Sequence, residues 1–276
     1  MKKFFTFFLV CAFPFIFSVS CKKDDSIPPS RVAMLPVKIT CPTGGEEHSV
    51  WYEITYDEYE RLSEVYHYYG SGEASHTQKT TLFYDEQGVL IREEYSERLA
   101  SGEVEHYQTN YTTRFTYEGK SVKVEGRYNG TLTLDDYGRM VEREDVLLPS
   151  TTIRYRYESQ GNLNAYGEKY DEGFEYDMKN GIYRWVNTPS WYMTCLAILP
   201  LRYNRVNNCT ASFSGKRKIF GYEYTYNEYD YPLTQKRSYF DPDYFFCDNT
   251  GREVDGTLPS YEIEYQPSQR FWCGTE

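Results

Sequence analysis

The sequence lacks most of what names an enzyme. It holds only four histidines. These are His48, His67, His76 and His106, and they share no spacing that suggests a base or a ligand set. No H-E-x-x-H and no G-x-S-x-G occurs. Gly119-Lys120-Ser121 has no glycine five residues earlier and sits in a hairpin turn, which excludes a phosphate loop. No C-x-x-C occurs, and the histidines stand far from the cysteines, which argues against a zinc site. Stretches rich in Ala or Leu are few, and no second apolar stretch of membrane-spanning length follows Phe4–Phe17. Basic charge is also short. Without Lys2 and Lys3 the chain carries 28 basic and 41 acidic residues, a net −13. Such a surface repels nucleic acid and anionic lipid. No catalytic residue, metal or cofactor is expected, and no nucleic-acid partner.

The N-terminal region is an address. Lys2 and Lys3 precede the apolar run, and small residues close it at "FSVSC", the pattern of a secretory signal over residues 1–20. The run is shorter than the roughly 20 apolar residues of a membrane span. "SVSC" resembles the lipobox of bacterial lipoproteins, which implies cleavage before Cys21 and acylation of its sulfur. Lys23, Asp24 and Asp25 resemble the acidic export tag of surface lipoproteins in Gram-negative gut anaerobes. More than one acyl chain gives a firm anchor. Residues 21–47 read as a tether, kept extended by Pro28, Pro29 and Pro36. The expected location is the outer membrane, at the cell surface.

Cys41, Cys195, Cys209, Cys247 and Cys273 remain once Cys11 leaves with the signal and Cys21 is lipidated. An exported compartment permits disulfides. Cys195 with Cys209 is the easiest pair by proximity, and Cys247 with Cys273 is another, but sequence alone does not fix connectivity.

What the chain has in excess is tyrosine, 30 residues, arranged in a repeat. Seven copies occur, among them "ITYDEYERLSEVY" from Ile54, "LFYDEQGVLIREEY" from Leu82, "LTLDDYGRMVERE" from Leu132 and "YTYNEYDYPLTQKRSY" from Tyr224. The frame is aromatic-x-Tyr-acidic-x-x-Gly-x-Leu. The acidic residue caps a turn through its side chain and Gly supplies positive φ. Glu60 stands for Gly in the first copy and Pro232 in the seventh. Each copy predicts a hairpin. Between turns the alternation is strict: Tyr52, Ile54 and Tyr56 oppose Glu53 and Thr55, and Tyr222, Tyr224 and Tyr226 oppose Glu223 and Thr225. Period two with one apolar face marks a half-buried sheet.

The expected fold is all-β: one antiparallel up-and-down meander of about 14–16 strands over residues 48–276. Rolling it into a barrel-like shell covers the apolar face and removes the edges. Tyr56, Tyr84, Tyr117, Tyr157, Tyr176 and Tyr226 share one slot and should form an inward layer near one rim. A lipid-spanning barrel is disfavoured, because the apolar face is Tyr throughout, a lipid anchor would be redundant, and "WCGTE" lacks a terminal aromatic. The Tyr-Asp-x-x-Gly-x-Leu frame resembles the YD repeats of RHS-type proteins. Lipobox and Tyr-rich hairpins together resemble a family of gut-bacterial lipoproteins of unknown function with a porin-like fold. That resemblance implies a β-shell and no particular activity.

One stretch, residues 186–218, breaks the repeat and includes the apolar run "WYMTCLAILPL". It reads as buried, either plugging the barrel or forming a strand pair, before it reads as a partner surface. Trp185, Trp191 and Tyr192 beside it are the candidate ligand-stacking residues. The acidic loop with Asp241, Asp243, Asp248 and Asp255 fits no EF-hand spacing. Three functions are therefore carried forward. First stands a non-catalytic binding module for a glycan, peptide or other extracellular ligand. Second is a structural protein docking onto an envelope partner through the irregular segment. Last is a hydrolase using unrecognised carboxylates.

Overall fold

The computed structural model describes residues 32–42, 49–70, 76–99, 106–127, 129–145, 148–195, 199–240 and 260–270. The strands are β1 Met34–Pro42, β2 Ser49–Tyr56, β3 Leu62–Gly70, β4 His76–Tyr84, β5 Leu90–Leu99, β6 His106–Glu118, β7 Ser121–Glu125 and β8 Gly130–Leu134. They continue as β9 Met140–Asp145, β10 Leu148–Tyr157, β11 Leu163–Gly167 and β12 Glu172–Tyr176. The helix α1, Ser190–Cys195, follows, then β13 Cys209–Ser214, β14 Arg217–Tyr226, β15 Pro232–Tyr239 and β16 Tyr261–Pro267. Each strand pairs antiparallel with its sequence neighbours, and β1 pairs with β16, closing a 16-stranded barrel. The rolled meander expected from the alternation is the observed fold.

The repeated turns share one geometry. In the first, the Asp57 N–H donates to Arg61 O and the Glu60 N–H to Asp57 O, both at 3.0 Å. The Asp57 Oδ1 accepts the N–H groups of Tyr59 and Arg61. Asp85, Asp135 and Asn227 repeat this arrangement. The fourth turn residue is left-handed: Glu60, Gly88, Gly138, Gly161 and Asp230 have φ of 58°, 82°, 70°, 99° and 62°. The ladder slips by one residue there, as at Tyr56/Leu62 and Tyr84/Leu90. This is the three-residue hairpin loop with a bulge. The special position of the last copy is therefore Asp230, two residues before the Pro232 that the sequence reading singled out.

Glu60 has a reason to depart from Gly. It is buried, and its carboxylate accepts the Ser268 hydroxyl at 2.7 Å and the Arg270 N–H at 3.0 Å. The strained residue thus ties the first hairpin to the chain beyond β16.

The six slot tyrosines are half-buried on the inward face, and Tyr56, Tyr84, Tyr117 and Tyr157 pack against the core. The hydroxyls of four of them stitch neighbouring strands together, while that of Tyr226 donates to Asp177 at the start of the irregular segment. Those of Tyr84, Tyr117 and Tyr176 donate to the carbonyls of Leu62, Leu90 and Leu163, at 2.8–3.0 Å. Each acceptor is the residue that restarts a strand after the preceding turn. Tyr56 reaches Pro36 O at 2.7 Å and Tyr265 reaches Pro232 O at 2.9 Å.

Two boundaries differ from the sequence reading. The barrel begins at Met34 and not at 48, because β1 lies inside the stretch taken for a tether. Leu35, Ile39 and Cys41 of β1 are buried, and the register shifts between Pro36 and Lys38, which accommodates the proline. The irregular segment runs from Asp177 to Asn208, while 209–218 joins the wall as β13 and the start of β14.

That segment enters the barrel from the turn-bearing rim and fills it. Ile182, Tyr183, Val186, Trp191, Tyr192 and Met193 are buried in the same core as the wall residues Leu62, Leu90 and Met140. The Trp191 ring meets Phe115 edge-on at 5.1 Å. Its two arms cross closely at Gly181, where a Cβ would stand 2.7 Å from Asn204 O. Buried Asn162, Asn180, Asn204, Asn207 and Asn208 supply the hydrogen bonds that irregular backbone needs. Thr188 accepts the Leu62 N–H at 2.8 Å and fastens the plug to the first hairpin.

Outside, Glu53 and Thr55 on β2, Arg114 and Thr116 on β6, and Glu262 and Glu264 on β16 are exposed, interrupted by Ile91 on β5, Leu233 on β15 and the Trp51–Tyr68 stack on β2 and β3. A lipid-spanning barrel has an apolar outer band and a polar interior. Here the polarity is inverted.

Candidate binding chamber

The plug leaves room on one side of the lumen. A chamber of about 330 Å³, partly open to solvent, lies between the plug's return arm and the β13–β16 wall. From the plug come Leu199, Leu201, Arg202, Tyr203 and Asn204. From the wall come Cys209 on β13, Tyr222 on β14, Gln235 and Arg237 on β15 and Tyr261 on β16. Strand pairing explains the set. Tyr222 pairs with Arg237, Tyr224 with Gln235, and Gln235 with Tyr261, so alternation puts them all on the inward face.

The aromatic walls are held in place. Tyr155, Tyr166 and Phe174 stack in sequence at 5.8 Å spacings, and Phe174 lies 4.7 Å from the Tyr203 ring. Arg202 donates to the Tyr203 hydroxyl at 3.1 Å. Arg237 lies over the Phe220 ring at 5.0 Å, which fixes the plane of its guanidinium.

Gln235 is 2 % exposed, and its Nε2 donates to the Tyr224 hydroxyl at 3.4 Å. Its Oε1 has no hydrogen-bond partner. A buried acceptor left unmet costs about 1–3 kcal/mol, so this oxygen is a place where a donor would bind well.

Burial sets the protonation states. It pushes the phenols of Tyr222 and Tyr261 up to about 12, while the Arg237 charge pulls both down. It pushes the Cys209 thiol up to about 12 and the Cys41 thiol up to about 11. These groups are neutral near pH 7. A thiol so disfavoured as thiolate is a poor nucleophile. The chamber can bind, through donors, rings and fixed positive charge.

The sequence-predicted residues fall elsewhere. Trp191 and Tyr192 are 2 % exposed and serve as core of the plug, with no ring face left for a ligand. Trp185 is half-buried beside Arg184 and does not line the chamber. Cys209 stands as a free buried thiol donating to Ala211 O at 3.3 Å, in place of the pair with Cys195 that proximity favours. The Cys195 side chain lies outside the described residues, as do Cys21, Lys23, Asp24, Asp25, Cys247, Cys273 and the acidic loop from Asp241 to Asp255. No cluster of metal-ligating side chains occurs among the described residues. The chamber residues missed in the sequence are Arg202, Gln235 and Arg237. Only the parity of Gln235 and Arg237 with the tyrosine face signals them.

No protein-family profile matches the chain, and no curated protein matches it. Among solved structures it is similar to a porin-like protein from Bacteroides vulgatus, at 12% identity and a TM-score of 0.38. That match covers 86% of this chain and 100% of the other. It is also similar to a porin-like protein from Bacteroides uniformis, at 12% identity and a TM-score of 0.33, over 84% and 98% of the two chains. The resemblance to YD-repeat proteins stays a likeness of sequence motif.

Proposed function

We propose that this chain is an outer-membrane lipoprotein, anchored through Cys21 and carried to the cell surface by Lys23, Asp24 and Asp25. Its barrel stands in water and binds a small extracellular ligand in the lumen. The observation that carries the reading is the inverted barrel: a largely polar outer wall on the described strands, an apolar plugged interior and a partly open chamber. Such a wall has no band to place in lipid, and such a lumen offers no continuous water path. Partner docking through the irregular segment loses support, since Ile182, Tyr183, Val186, Trp191, Tyr192 and Met193 of that segment are spent inside. A hydrolase finds no pair of carboxylates on the chamber wall.

The test uses the mature chain in detergent micelles against a panel of glycans and peptides, with binding read by calorimetry. Saturable binding that Tyr222→Ala weakens at least tenfold is the expected result. Binding by no member of the panel, or steady conductance after addition to planar bilayers, would overturn the reading. For the address, Cys21→Ser should release the chain from membranes. Alanine at Lys23, Asp24 and Asp25 should leave it anchored but shielded from protease in intact cells.

A further inference from the structure

We infer that the chamber selects a carboxylated sugar, a single acidic ring or the acidic end of a glycan. This rests on the binding reading above and names its ligand class. Four observations converge. The chain is strongly acidic, with a formal net charge of −11, yet the chamber is lined, among the described residues, by two arginines and by no carboxylate. An acidic protein that gathers guanidinium groups around a void builds a local field opposite to its own, and that field favours an anion. Arginine in a fixed plane suits a carboxylate, which it can meet with two parallel N–H bonds. Gln235 adds an acceptor with no partner, 2 % exposed, on the same wall. A bare anion carries no donor to satisfy it, whereas a sugar hydroxyl does.

The remaining surface is aromatic. Tyr203, Tyr222 and Tyr261 give ring faces for the apolar side of a pyranose, and burial keeps the Tyr222 and Tyr261 hydroxyls protonated as donors. The volume, about 330 Å³, sits at the low end of the roughly 300–1,000 Å³ of small-molecule sites. It suits one ring with its carboxylate and the waters that bridge it.

Calorimetry on the mature chain at low salt tests this with four probes: glucuronate, glucose, acetate and sulfate. Glucuronate should bind at least tenfold tighter than each of the others. Added salt should weaken glucuronate and leave any glucose binding unchanged, a readout that needs no variant. Arg237→Gln should remove at least tenfold of the glucuronate affinity without altering that for glucose, and Arg237→Lys should restore part of it. Gln235→Leu should weaken glucuronate and leave acetate unaffected. Equal binding of glucose and glucuronate would overturn the selection for acid while leaving the chamber a binding site. Acetate or sulfate binding as tightly as glucuronate would overturn the sugar. If none of the four binds while a panel member does so in a Tyr222-dependent way, the ligand class is wrong and the chamber reading stands. If nothing binds at all, both fall.

Discussion

At the turn-bearing rim, tyrosine hydroxyls meet backbone carbonyls: Tyr84 with Leu62, Tyr117 with Leu90, Tyr176 with Leu163. Deeper in the lumen, the Thr80 hydroxyl, one oxygen of Glu93 and the Gln235 Oε1 are buried with no hydrogen-bond partner. Both regions use inward-facing side chains of the wall, and Tyr84 and Thr80 share the strand β4. The rim spends its polar atoms on holding neighbouring hairpins in register. The lumen leaves some unspent, at a cost to stability. Buried polar atoms without partners are uncommon; at the rim the Tyr157 hydroxyl is one exception among tyrosines that otherwise build the barrel, whereas Thr80, Glu93 and Gln235 hold theirs where a guest could meet them.

The largest expected effect tests whether the plug belongs to the building part. Trp191→Ala removes a fully buried ring from the joint between plug and wall. It should cost about 3–5 kcal/mol in denaturant unfolding. A loss near zero would mean that the plug is a passenger. Next comes the first turn. Glu60→Ala removes the acceptor of Ser268 and Arg270 and keeps the unfavourable φ, for a loss of about 1–3 kcal/mol. Glu60→Gly should lose less, because Gly relieves the left-handed backbone. Equal losses would show that the strain is unimportant and the carboxylate everything.

Glu93 sharpens the comparison through pH. Burial raises its pKa above the ordinary 4.5, with the Tyr192 hydrogen bond and the Arg127 charge pulling the other way. Its folded value lies above its unfolded one. The stability it allows is complete below about pH 4.5 and is lost as pH rises through the folded value. Glu93→Gln should therefore raise stability at neutral pH and flatten the decline that sets in above about pH 4.5, measured by denaturant midpoints. An unchanged slope would place the titration elsewhere. The smallest effect belongs to Gln235→Leu. It removes an unmet acceptor, and folding stability should move by no more than about 0.5 kcal/mol. A large loss would make Gln235 a building residue like the rim tyrosines.

Much of the rim was legible in the sequence. Asp57, Asp85 and Asp135 announced their turns, Gly88, Gly138 and Gly161 their left-handed residues, and the alternation around Tyr56 and Tyr226 their inward face. β1 was hidden because it carries no copy of the repeat and holds Pro36, which reads as a breaker until a bulge is available. The plug was legible as apolar, but its first residues, from Asp177, sit in a copy of the repeat whose second strand never forms. The chamber was least legible. Arg202 and Arg237 look like ordinary solvated charge, and Trp191 looks like a ligand platform. Only the three-dimensional crossing of plug and wall exchanges those roles.

The pairing of β1 with β16 has a kinetic consequence. Thr40 meets Glu262 across this seam, whereas every other strand pair joins elements adjacent in sequence. Closing so long a loop costs roughly 3 kcal/mol more in chain entropy than closing a hairpin. The hairpins can form early and locally, while the seam must wait until all sixteen strands stand in order. The transition state should thus be an open curved sheet. A substitution that weakens the seam, at Ile39 or Ile263, should speed unfolding and scarcely slow folding.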